Sequence, residues 1–123
     1  MKFISKLFVF IFLIGSVTNA QIHNPITWDT SVEKINDSEY DLLITATIET
    51  GWHLYSQNVP EGGPIPTSIK ISPDDINYQL IGSPQEGEGH EEYDNVFDMD
   101  IKYFESHAVF KQRIRLLSSE KLA

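Results

Sequence analysis

"YDLLITATIE", Tyr40 to Glu49, alternates almost without fault. Tyr40, Leu42, Ile44, Ala46 and Ile48 fall on one side of an extended chain, and Asp41, Leu43, Thr45, Thr47 and Glu49 fall on the other. Period two with one apolar face is the pattern of a half-buried strand, and Leu43 is the single lapse. The β-branched residues Ile44, Thr45, Thr47 and Ile48 favour the same backbone. "HAVFKQRIRLL", His107 to Leu117, repeats the pattern. Ala108, Phe110, Ile114 and Leu116 share one face, with Gln112 standing where an apolar side chain is expected. Val109, Lys111, Arg113 and Arg115 share the opposite face.

Working outward, "ITW" (Ile26–Trp28) and "TSVEKI" (Thr30–Ile35) read as short strands before the turn "NDSE". "TSIKI" (Thr67–Ile71) reads as another, after a Pro- and Gly-rich hinge. "NYQLIG" (Asn77–Gly82) follows the turn "SPDD". In "VFDMDIKYF", Val96, Asp98, Asp100 and Lys102 oppose Phe97, Met99, Ile101 and Tyr103. "GSPQEGEGHEEYDN" (Gly82–Asn95) reads as a polar loop. Turn signals recur at the roughly 8–12-residue spacing of a sandwich or barrel, and no stretch sustains a helical period. The expected class is all-β.

The beginning of the chain reads differently. Lys2 and Lys6 precede the apolar run Leu7–Gly15, and Thr18 and Ala20 supply small residues before Gln21. That is the layout of a secretory signal peptide over residues 1–20, and the run falls short of the ~20 residues that span a bilayer. Residues 21–123 then form one domain. Without Lys2 and Lys6, 7 of the 9 basic residues remain against 18 acidic ones, a net charge of −11. Such a surface repels phosphate backbones and argues against nucleic acid as a partner. The chain has no cysteine, so it performs no thiol chemistry itself.

Catalytic signatures are thin. His90, Glu91, Glu92, Asp94, Asn95, Asp98 and Asp100 are rich in oxygen ligands, but no glycine bends the chain between Asp94 and Asp100 as a calcium loop requires. A solvated acidic face is the better reading. His23, His53, His90 and His107 show no zinc-ligand spacing, and neither a metal nor a cofactor is expected. That leaves "GWHLYSQ" (Gly51–Gln57). On a strand, Trp52 and Leu54 point one way and His53 and Tyr55 the other. Residue type alone leaves two readings open: core packing before a loop, or a strand that lines a pocket.

"GWHLYSQ", "GGPIPTS" (Gly62–Ser68) and "YFESHAVFKQ" (Tyr103–Gln112), in this order around an acidic loop, resemble the amino-terminal periplasmic domain of the thiol:disulfide interchange protein DsbD family. The resemblance runs from about Asn24 to Leu116. It implies an immunoglobulin-like β-sandwich that passes electrons from a thioredoxin-like domain of the same parent protein to periplasmic disulfide oxidoreductases. It places Tyr103, Phe104 and Glu105 at a cap loop over the redox site and His53 and Tyr55 at the pocket wall, with Trp52 and Leu54 as its floor. The family's cysteine pair and its last two strands belong after "KQRIRL", where this sequence reads "LSSEKLA". The family's acidic pair before the cap is also replaced, by Ile101 and Lys102. The expectation is therefore a DsbD-type domain incomplete at its C-terminal end, inactive alone, whose parent is a protein-disulfide reductase of the inner membrane. The alternative is a redox-inactive exported sandwich that binds a protein or carbohydrate.

Overall fold

The computed structural model describes residues 23–117 apart from residues 73 and 75. The expected signal peptide lies outside the described residues. Among those described, the chain forms strands β1 (Ile26–Lys34), β2 (Glu39–Ile48), β3 (Leu54–Tyr55), β4 (Tyr78–Glu86), β5 (His90–Asp94), β6 (Met99–Phe104) and β7 (His107–Leu116). They make two antiparallel sheets, β1-β2-β7-β4 and β3-β6-β5, and the described residues contain no helix. The all-β class expected from the alternation is what the described residues form, with two sheets packed as a sandwich.

Both strands on which that reading rested are central. β2 pairs with β7 from Glu39↔Arg115 to Thr47↔His107, which aligns their apolar faces. Ala46, Ile48, Ala108 and Phe110 meet Phe104 of the second sheet in one core, against which Ile26, Ile44, Leu54 and Ile69 pack. The Phe104 and Phe110 rings meet edge to face, centroids 5.9 Å apart. Glu105 and Ser106 carry the chain from β6 in one sheet to β7 in the other. Ser106 takes a positive φ of 67° there, and its carbonyl accepts the Ile48 N–H at 2.8 Å.

Gln112 finds its reason in the neighbouring strand. The β4–β7 register shifts between Ile81 and Gln85, where Gly82 adopts φ 72°. This is a bulge, and it turns ladder carbonyls aside. The Gln112 amide, 2 % exposed, reaches the carbonyls of Ile81 and Gly82 at 3.2 and 3.3 Å and that of Arg113 at 2.8 Å. An amide on the apolar face thus serves the bulge beside it.

Several boundaries differ from expectation. "ITW" and "TSVEKI" are one strand, β1, because β2 offers a continuous partner from Ile48 to Tyr40. The supposed loop Gly82–Asn95 is mostly strand: it holds the end of β4 and all of β5, with residues 87–89 between them. Val96–Asp98 is a turn, closed by Asp94, whose Oδ1 accepts the Val96 and Phe97 amides at 2.7 and 3.0 Å. Thr67–Ile71 joins no sheet. Trp52 is no core anchor: it precedes β3, is 47 % exposed, and sits 5.5 Å from the His23 ring.

Candidate functional site

β6 carries the centre of the site because both of its neighbours serve it. Tyr55 of β3 lies opposite Tyr103, and His90 of β5 lies opposite Tyr103 on the other side. Partners in a ladder share a face, so Tyr55, Tyr103 and His90 line up on the side of this sheet turned away from the core. Glu92, opposite Ile101, joins them. His53, one residue before β3, lays its ring on Tyr103 with centroids 4.0 Å apart and planes 18° from parallel.

Glu105 ties the group together. The sharp β6–β7 connection holds it at the strand end, with Oε2 3.1 Å from His53 Nε2 and Oε1 3.5 Å from His90 Nε2. One carboxylate therefore bridges two imidazoles across the edge of Tyr103. At the far end of that ring the phenol donates to Glu92 Oε1 at 2.8 Å. Accepting that hydrogen bond, the Glu92 carboxylate pushes the Tyr103 phenol above the ordinary tyrosine range, and the nearby Glu105 charge adds to it. The hollow among His53, Tyr55, Glu92, Tyr93, Asp94, Ile101 and Tyr103 measures about 90 Å³. That is far below the roughly 300–1,000 Å³ of small-molecule sites, so the face suits a surface partner better than an enclosed ligand.

The residues expected at the pocket wall and cap are thus neighbours, with one difference of kind. Tyr103 and Phe104 end a strand, and only Glu105 lies in the connection. Phe104 faces the opposite way from Tyr103 and is 3 % exposed in the core. His90 and Glu92 join the site although the sequence placed them in a loop. Only recognition of β5 as a strand in register with β6 could have brought them forward.

A second polar cluster lies on the inner side of the same sheet, and nothing in the sequence pointed to it. Glu86, at the end of β4, accepts hydrogen bonds from the Ser56 hydroxyl, from Gln57 N at 2.9 Å and from Gln57 Nε2 at 3.2 Å, and pairs with Lys102 at 3.0 Å. Burial alone raises a carboxyl's pKa, but these donors together hold Glu86 below its usual range. Lys102 also donates to Gly87 O at 2.8 Å and stands 5.3 Å from the centre of the Phe104 ring. Every partner of Glu86 belongs to the fold, so the cluster locks β4 to β6 and to the loop after β3.

Among the described residues, no group of three or more imidazole and carboxylate side chains is arranged to hold a metal ion. No described helix is long and apolar enough to cross a membrane. Compared with protein-family models, curated proteins and solved structures, the chain matches none.

Proposed function

We propose that the chain is the front portion of a DsbD-type protein-disulfide reductase: an exported, periplasmic, immunoglobulin-like module that presents a docking face to thioredoxin-like domains. The observation that carries this reading is the pairing of Leu54–Tyr55 with Tyr103–Phe104. Within that pairing the resemblance assigns Tyr55 to the wall and Tyr103 to the cap of one site, although the two are far apart in sequence. Their adjacency is what that assignment requires.

With no cysteine, this chain neither forms nor breaks a disulfide. Its share of the work is to receive a partner domain and to shield the exchange, since thiol exchange depends on access as well as on thiolate fraction. Reading the native coding region past the Ala123 codon tests the proposal. Two closely spaced cysteines followed by hydrophobic segments are expected. A stop codon, or a continuing frame without cysteine, overturns it.

A second reading keeps the face and drops the redox parent: a module that binds another protein through His53, Tyr55 and Tyr103. The roughly 90 Å³ hollow is too small to enclose a ligand, which favours a partner that lies across the face. Amide shifts confined to β3, β5 and β6 on titration with a thioredoxin-like domain support docking there. Unperturbed spectra at high concentration count against the redox reading and leave only a partner of another kind.

A further inference from the structure

Thr67–Ile71 behaves as a strand without a ladder. Thr67, Ile69 and Ile71 are half-buried while Ser68 and Lys70 are exposed, the burial rhythm of an extended chain, and Ile69 packs on the core. Thr67 N donates to Ser56 O at 3.2 Å, but Ser68, Ile69, Lys70 and Ile71 make no backbone hydrogen bond to any described residue. The segment lies over the inner face of the four-stranded sheet with an open cleft on each side. One, of about 940 Å³, separates it from Trp28, Val32, Leu42 and Ile44 of β1 and β2. The other, of about 600 Å³, separates it from Leu80, Pro84 and Gln112 of β4 and β7.

We infer that Thr67–Ile71 is a docking strand, to which an extended segment of another polypeptide adds edge to edge in the cleft over β1 and β2. The row of free N–H and C=O groups decides the kind of ligand. A β-strand satisfies the alternate residues along one edge of such a row, whereas a helix keeps its backbone bonds to itself and an aliphatic ligand has none to offer. The floor decides its pattern. Trp28, at 43 % exposure, and Val32, at 45 %, stand uncovered beside Leu42 and Ile44, so the incoming strand places apolar side chains at alternate positions. Lys70 decides its charge. It stands in the cleft wall and, unlike Lys34, Lys102, Arg113 and Arg115, makes no ion pair with a described residue. An acidic residue opposite Lys70 completes the match.

This surface is on the inner side of the sandwich, apart from His53 and Tyr103. Under the redox reading the strands expected after Leu116 compete for it, so the test is run on this chain and on the chain extended past Ala123. Peptide binding lost in the extended chain overturns the inference. The test uses a fluorescein-labelled synthetic heptapeptide that alternates valine with threonine and carries one central glutamate. Saturable binding to the protein is expected, with new hydrogen-exchange protection at Ser68 and Lys70, whose N–H groups face the edge opposite the Thr67–Ser56 bond. Lys70→Glu weakens it several-fold, and replacing the peptide's glutamate by lysine restores affinity for that variant. Ser68→Pro removes an N–H that bonds to nothing described and abolishes binding. If that variant fails to fold, the Lys70 charge exchange still decides. Absence of saturable binding overturns the inference, as does binding indifferent to the charge at residue 70. Sedimentation as a dimer that excludes the peptide would assign the cleft to a second copy of the chain and overturn it too.

Discussion

The imidazole of His53 lies flat on the ring of Tyr103, 4.0 Å between centroids, and the Glu105 carboxylate ties that stack to His90. His53, Glu105 and His90 are substantially open to solvent and Tyr103 is half-buried, so the arrangement contributes orientation more than stability. Exposed ion pairs contribute roughly 0–1 kcal/mol. Glu105→Gln is expected to change the unfolding free energy by less than about 1 kcal/mol. The ring resonances of His53 and His90 should both move in that variant, while those of His23, paired with Glu49, stay in place. Movement of only one of the two would show that the bridge does not persist in solution.

Tyr103 offers a second readout of the same face. Its phenol titrates high because Glu92 accepts its hydrogen bond and the Glu92 and Glu105 charges disfavour the phenolate. Glu92→Gln removes one of those charges, so the Tyr103 phenol should ionise at lower pH. Tyr78, whose hydroxyl donates to the Ser72 carbonyl, serves as the internal control. The shift is measured by following the tyrosine ring carbons with pH. An unchanged titration would mean that desolvation, not Glu92, controls the group.

Phe104 discriminates a core residue from a lid. It is 3 % exposed and meets Phe110 edge to face. Phe104→Ala should therefore cost about 3–5 kcal/mol, the range for a buried phenylalanine. Denaturant unfolding of the variant checks it, and a loss below about 1 kcal/mol would return the residue to the solvent-facing cap position.

What the sequence made legible was the part governed by one-sided burial. β2 and β7 each have a buried and a solvated face, so their side chains alternate and their pairing could be anticipated. β5 and the end of β4 gave no such signal. β5 is an edge strand exposed along most of its length, and "GSPQEGEGHEEYDN" carries glycines and acids that read as loop. Without β5, the opposition of His90 to Tyr103 could not be seen, and half of the site stayed hidden. Asp41 shows the converse failure. Its place on the polar face was clear, yet it is 6 % exposed, because Arg113 directly across the ladder folds over it. Strand alternation assigns a side chain to a face, but only the register reveals what covers it.

Gln112 tests whether an amide on the apolar face is a defect or a part. If its purpose is to satisfy the bulge carbonyls of Ile81 and Gly82, Gln112→Leu leaves them unpaired despite adding apolar surface. A loss of about 1–3 kcal/mol is expected. A more stable leucine variant would mean that the carbonyls find water and the amide is dispensable.

Acid should unfold the protein through Asp41 and Glu86. Arg113 donates to Asp41 at 2.6 and 3.3 Å and holds its carboxyl below the ordinary 3.8. Burial works against ionisation of Glu86, but Ser56, Gln57 and Lys102 outweigh it and hold the group below 4.5. Both folded-state values lie under the unfolded ones. Each group therefore contributes stability that is complete above the ordinary carboxyl range and disappears as pH falls through the folded value. Unfolding free energy measured against pH should hold level from neutrality to about pH 5 and then decline steeply. Asp41→Asn should be less stable than the parent at neutral pH, and the gap should narrow as acid protonates Asp41 in the parent. A gap that persists unchanged to about pH 3 would show that the Arg113 pair is maintained by geometry alone, without a contribution from charge.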